Sequence, residues 1–336
     1  MHDTFFLLIC VIVLATIFDF INGFHDTANA IATSVSTRVL SPKAAVTMAA
    51  FLNMAGALAG TAVAKTVGAG IVDAAFVTQI TVISALLSAI IWDLITWYFG
   101  LPTSSSHAIL SSLVGAAVAT SGTQVIIHKG VNKVLLGLML SPLVGLMLGF
   151  LLMLLLMWVF GRFPVTRVNK FFNKLQIGSA AFMAFSHGNN DAQKTMGIIT
   201  MALVSYDVSL GKPFPANFDV PLWVVILCAT AMALGTALGG WRIIKTLGVR
   251  LVHLRPIHGF AAEASAATVI EIASKIGLPL STTHVISSTI MGVGASKRLS
   301  AVRWGIGGNI VIAWIITIPA CAVLAWVICK VITQLV

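Results

Sequence analysis

The chain is 336 residues long, 58% hydrophobic and only 9% charged, with a mean hydropathy of +1.02. Soluble domains carry roughly 25% charged residues, so the composition excludes an ordinary soluble protein and implies one that crosses a membrane several times. The formal charge of +10 does not point to nucleic acid, because the basic residues gather in clusters between apolar runs, where they act as orientation signals.

Apolar stretches near 4–22, 44–64, 78–99, 134–160, 222–240 and 304–329 are each long enough to span a bilayer core of about 30 Å. The first is expected to be a retained helix, since Met1-His2-Asp3 has no basic n-region and no small-residue cleavage site follows. It leads into Asn22, Asp26, Asn29 and Thr33, spaced so that a helix would carry them as one polar stripe. Around them runs Gly23-Phe24-His25-Asp26-Thr27-Ala28-Asn29-Ala30. The 44–64 run carries Gly56-xxx-Gly60, a pattern for close helix packing. Gly100-Leu101-Pro102 then breaks the 78–99 run, and Ser104, Ser105 and Ser106, followed by His107, suit the start of a new half-helix. A hairpin that dips in and returns is expected there, with its tip at 101–107.

After the 134–160 run, with its Gly145-xxx-Gly149, a basic loop holds Arg162, Arg167, Lys170 and Lys174, and 161–175 is expected to be a cytoplasmic linker. The polar motif then returns as Gly188-Asn189-Asn190-Asp191-Ala192-Gln193-Lys194-Thr195, with His187, Asp191 and Lys194 as its stripe and Asn190 beside it. The 222–240 run carries Gly235-xxx-Gly239, and a second basic loop follows with Arg242, Lys245, Arg250 and Arg255. Gly277-Leu278-Pro279 and then Ser281, Thr282, Thr283 and His284 repeat the hairpin tip at 278–284. Cys10, Cys228, Cys321 and Cys329 all fall in apolar segments and read as small packing residues.

Each polar element thus occurs twice. The expected fold is an all-α polytopic membrane protein of two repeats, 1–160 and 176–336, each with three crossing segments and one re-entrant helical hairpin. Three crossings is an odd number, so the second repeat is inverted. With both termini outside, the inside loops take most of the basic residues, leaving Lys65, Lys129, Lys133, Lys212 and Lys330 outside.

Charged groups at mid-membrane cost about 2.5–3.5 kcal/mol each on insertion scales. Two matching Asp-centred stripes therefore point to a cation or substrate site, the alternative being buried carboxylates that merely tie helices together. The hydroxyl runs point to an oxyanion, because a helix N-terminus offers free N–H groups and about half a positive charge. Ordinary capping needs one hydroxyl per helix, and three stand at each tip. His107 and His284 read equally as packing residues or as members of a proton relay. Asp19, Asp93, Glu263 and Glu271 read as relay members or as partners of nearby hydroxyls or Lys275. No HExxH, CxxC, GxSxG or Walker A pattern occurs, so no enzyme or cofactor is expected, and no resident metal.

On Gly23–Ala30, Gly188–Thr195, Pro102–His107 and Pro279–His284, the chain resembles the inorganic phosphate transporter (PiT) family over essentially its whole length. The resemblance implies secondary transport of phosphate, with the anion held between the two hairpin tips. Ser104, Ser105, Ser106, Ser281, Thr282 and Thr283 become phosphate ligands, with Asn190 and Lys194 beside them. Asp26, Asn29 and Asp191, with His25 and Asn22, become cation-coupling residues; His107, His284 and His187 are candidates for a proton relay. The family also makes a homodimer in the cytoplasmic membrane an expectation.

Sodium-coupled members typically carry Gly-Ala-Asn-Asp-Val-Ala-Asn-Ala in both halves. Here His25 replaces an Asn in the first copy, and Lys194 replaces the second Asn in the second. An ammonium beside Asp191 would stand in for a sodium ion while staying fixed to the protein. The reading therefore leans to proton coupling, as in the bacterial low-affinity branch, which is taken to move phosphate alone or as a neutral complex with a divalent metal. Sodium coupling, or another oxyanion such as sulfate, is the alternative. An anion channel and a membrane hydrolase are the readings from other classes. Each negative charge moved inward costs about 2.3 kcal/mol per 100 mV, so an imported phosphate dianion needs mobile cations, and Lys194 cannot supply them.

Overall fold

The computed structural model describes residues 2–73, 76–215 and 217–335. Met1, on which the reading of a retained N-terminal helix partly rests, lies outside the described residues. Apart from two single β-bridges, Val72–Ile126 and Val252–Val302, the regular structure among them is helical. An apolar chain must satisfy its backbone within each segment if it is to enter hydrocarbon, and helices do so.

The first half comprises α1 (His2–Ser36), α2 (Pro42–Ala57), α3 (Ala62–Gly70), α4 (Gln79–Phe99), α5 (Ser105–Ser121) and α6 (His128–Phe160). The second comprises α7 (Val165–Ser209), α8 (Leu222–Leu238), α9 (Trp241–Ile244) with π-helical turns to Leu251, α10 (Pro256–Lys275), α11 (Thr282–Lys297) and α12 (Trp304–Leu335). The order is the same in both: one long helix, a bent pair, a hairpin, one long helix. Four helices are long and apolar enough to cross a membrane, or six if each bent pair is one span. Gly100 and Gly277, at φ +66° and +65°, end the first arm of each hairpin in the left-handed conformation that glycine adopts without strain. Proline stands inside both α6 (Pro142) and α12 (Pro319).

Three local expectations change. The 44–64 run is not one straight helix: it breaks after Ala57, and α2 and α3 meet at 67°. The basic segments 161–175 and 242–255, expected as loops, are largely helical. From Val165 onward the first belongs to α7, with Arg167, Lys170 and Lys174 exposed and Phe172 and Gln176 buried one turn apart. Charge excludes such residues from hydrocarbon, but it does not stop a helix from projecting beyond it. α7 as a whole escapes a search for apolar runs because its centre is polar.

Packing crosses between the halves. α1 packs on α8 and α7 on α2; α5 packs on α12 and α11 on α6. The small-residue patterns serve these contacts. A Cβ at Gly56 would strike the carbonyl of Phe185 on α7, and one at Gly145 or Gly149 would strike the backbone of Val285 or Thr289 on α11. Gly235 meets Phe20 of α1 in the same way. Gly60 and Gly239 instead lie in the bends that follow α2 and α8.

Two hydrophobic clusters result, one toward each end of the molecule. α1 contributes Leu8 to Ile21 to the first cluster and Ala28 to Ala32 to the second, whereas α7 enters the second first, through Phe172 to Ala184, and then the first, through Ala192 to Ala202. α6 and α12 also traverse the clusters in opposite order. Both Asp-centred motifs occupy the waist between the clusters.

Candidate functional site

The waist is polar and closed. Asn22, His25, Asp26, Asn29, His187, Asn190, Asp191 and Lys194 are all buried, as are the hydroxyls of both hairpin tips. Helical periodicity accounts for the stripes; the tips require the hairpin turns. Ser104 accepts a hydrogen bond from the His107 amide and Ser281 one from the His284 amide, each 3.1 Å. These are N-caps. They fix each tip so that the next two hydroxyls point across the waist.

Around Asp26, Ser105 donates to Oδ2 at 3.2 Å and Thr283 lies at 3.5 Å, while His25 Nδ1 stands 2.6 Å from Oδ1. His25 Nε2 faces the Thr96 hydroxyl of α4 at 3.1 Å. Around Asp191, Thr282 donates at 2.8 Å and Lys194 Nζ forms an ion pair. Lys194 also donates to Ser106 Oγ at 2.5 Å and to the Leu280 carbonyl at 2.8 Å, so one ammonium joins α7 to both tips. Asn29 reaches the second tip, donating to Thr283 at 2.8 Å. Asn190 turns away from the tips and donates to Ser274 of α10 at 2.9 Å. One oxygen each of Asn22, Asn29 and Asn190 is buried with no hydrogen-bond partner.

His187 sits between two oxygens, Asn53 Oδ1 at 3.0 Å from Nδ1 and Asp191 Oδ2 at 3.1 Å from Nε2. Asn53 is held by its own donation to Thr236 at 2.9 Å. Only the Nδ1 contact is a hydrogen bond; Nε2 is buried without one, close to a carboxylate that already accepts from Thr282. Donor atoms of Asp26, His187 and Asp191 lie within 4.8 Å of one another, close enough for a cation. The Lys194 ammonium already holds Asp191, and it would oppose a further charge there.

His107 and His284 do not join the carboxylates. Their rings meet edge to face at 4.4 Å, and His284 stacks on Trp314 at 3.9 Å. Trp314 also donates to the Pro102 carbonyl, so α12 clasps both tips. Among the acids left open by sequence, Glu263 accepts from Thr33, Ser179 and Gln176. Glu271 accepts from Asn189 and lies 3.9 Å from Lys275. Asp19 accepts from Thr195 at 3.0 Å. Asp93 has neither oxygen hydrogen-bonded.

Sequence reasoning overlooked Asn53, Thr96, Trp314 and the Leu280 carbonyl. Asn53 had a legible signal, a single amide inside the apolar run of α2. The others had none, because their role exists only once distant helices meet.

The chain is similar to known proteins over most of its length. Residues 22–167 and 163–325 match the phosphate transporter family. A probable low-affinity inorganic phosphate transporter of Bacillus subtilis is 48% identical over 95% of both chains. One of Rhizobium meliloti is 48% identical over 95% of this chain and 94% of its own. A solved structure titled as the sodium-dependent phosphate transporter superposes with a TM-score of 0.89 at 25% identity, covering 98% of this chain and all of that one.

Proposed function

Since the chain belongs to the phosphate transporter family, we propose that it imports inorganic phosphate across the cytoplasmic membrane by proton symport, the anion lying between the two hairpin tips. The observation that carries this reading is the meeting of two capped helix N-termini, one ammonium and two carboxylates in a single buried waist. N–H groups, hydroxyls and Lys194 suit an oxyanion; Asp26 offers the acceptor that a protonated phosphate needs and sulfate does not use.

In this reading Ser105, Ser106, Thr282 and Thr283 bind phosphate with Lys194, and Ser104 and Ser281 hold the tips in place. With neutral imidazoles, two carboxylates face one ammonium, so the waist keeps one negative charge before any anion arrives. Mobile cations must therefore accompany the substrate, and in this reading they are protons. His187, between two oxygens, and His25, against Asp26, are the groups that receive them. A neutral metal–phosphate complex would meet the same charge requirement.

The opposite order in which α1 and α7, and α6 and α12, traverse the two clusters supports two inverted repeats, 1–160 and 176–336, with α4–α5 and α10–α11 as re-entrant hairpins. The basic start of α7, the basic segment that leads into α10 and the basic end of α11 support a cytoplasmic assignment for that face and termini outside. Sodium coupling is the second reading, favoured by the sodium-dependent title of the structural neighbour and by the unpartnered oxygens of Asn22 and Asn29 flanking Asp26 on α1.

The test is radiolabelled phosphate uptake into sodium-free proteoliposomes under an inward proton gradient. Accumulation that a protonophore abolishes, and that excess sulfate leaves intact, is expected. Lys194→Asn should lose most of this uptake, and any sodium stimulation it gains would identify the ammonium as a sodium surrogate. Uptake by the unmodified protein only when sodium is added would overturn proton coupling.

A further inference from the structure

Two adjoining cavities open where α6 ends, α7 begins and α10 meets α11, and they share Arg255, His258 and Lys297. The first, of 340 Å³, is walled mainly by apolar side chains, among them Met157, Phe160, Phe163 and Val168. The second, of 300 Å³, is lined by His253, Arg255, His258, Lys297, Arg298 and Arg303 with a few small residues, and no Asp or Glu contributes. None of these Arg or Lys side chains forms an ion pair among the described residues.

These basic side chains are exposed and concentrate positive charge at one mouth. Arg255, Lys297, Arg298 and Arg303 thus share one pocket with no counter-charge in its lining. The cluster is held in place by the framework: the Val252–Val302 bridge and the hydrogen bond from the Arg303 amide to the Leu251 carbonyl, at 3.1 Å, tie the two basic segments together. Its level is marked by Trp304, 47% exposed, directly after Arg303, and by Phe163, 54% exposed, at the apolar groove. Exposed aromatics of this kind sit at the boundary between hydrocarbon and water.

We propose that the two cavities form one binding site for an anionic phospholipid, separate from the transport waist. The headgroup phosphate lies among Arg255, Lys297, Arg298 and Arg303, and an acyl chain follows the groove along the end of α6. Basic pockets at the cytoplasmic ends of membrane helices suit anionic headgroups. A zwitterionic lipid would bring its own cation into a pocket of cations. A free phosphate would use the basic cavity and leave the apolar one without an occupant, so the paired cavities favour a lipid. The proposal stands whether or not the transport reading does.

The test is native mass spectrometry of the full chain released from membranes containing equal phosphatidylglycerol and phosphatidylcholine. The unmodified protein should retain phosphatidylglycerol in preference. The double variant Arg255→Gln/Lys297→Gln should lose that preference by roughly twenty-five-fold, since each basic group near an anionic surface contributes about a fivefold factor. Lys297→Arg should keep it, and Lys170→Gln/Lys174→Gln, on the exposed face of α7, should leave it unchanged. Should the double variant elute as aggregate, Arg298→Gln carries the test with an expected loss of roughly fivefold. Equal retention of both lipids, equal loss in the α7 control, or release by millimolar inorganic phosphate would overturn the lipid assignment; the last would leave a soluble-anion site.

Discussion

Ser104 and Ser281 show how one residue type can hold two roles in a single run. Each hydroxyl accepts an amide hydrogen bond as a cap, while the two hydroxyls that follow turn toward Asp26, Asp191 and Lys194. Ser104→Ala and Ser281→Ala should therefore each lower stability by about 1 kcal/mol, the usual value of an N-cap, with a modest change in phosphate affinity. Ser105→Ala and Thr282→Ala should do the reverse, weakening uptake at low phosphate with a small stability change. Thermal unfolding and uptake measured on the same four variants separate the roles, and equal affinity losses at all four positions would show that the caps are ligands too. Runs of three hydroxyls were legible in sequence. Which hydroxyl caps was not, because it depends on where the hairpin turn ends.

At the scale of elements, the helices are positioned by close approach as much as by apolar area. α2 lies against α7 at Gly56 and Gly188, and α6 lies against α11 at Gly145 and Gly149, with backbone where a side chain would otherwise be. These contacts are what bring Asn53 within reach of His187 and hold the second tip at the waist. Gly56→Leu and Gly145→Leu should each prevent assembly, read as loss of monodisperse protein. Gly56→Ala should cost about 1–3 kcal/mol, the usual range for overpacking, read as a lower unfolding temperature. Gly178→Ala, where nothing lies within 4 Å of an added Cβ, is the control and should be neutral. The glycine spacing was visible in the sequence; the partner of each glycine was not, since all of them lie on helices far away in the chain.

For the whole molecule, the consequence of crossed packing is that neither half is a unit. α1 completes α8, α7 completes α2, and each terminal long helix packs on the other half's hairpin. Residues 1–160 expressed alone should be degraded or aggregate, whereas co-expression with 161–336 should restore phosphate uptake; a stable, monodisperse 1–160 fragment would contradict this. The sequence by itself determined that the chain is a helical membrane protein, that its polar elements are duplicated, and which of its polar side chains share a helix face. These follow from composition and from spacing along single helices, both of which are local. Only the tertiary structure decided that Lys194 spans from Asp191 to both tips, that Asn190 faces Ser274 and that His107 and His284 pair with each other and Trp314. Those outcomes depend on the angle and depth at which helices from opposite halves meet, and no periodicity within one helix encodes them.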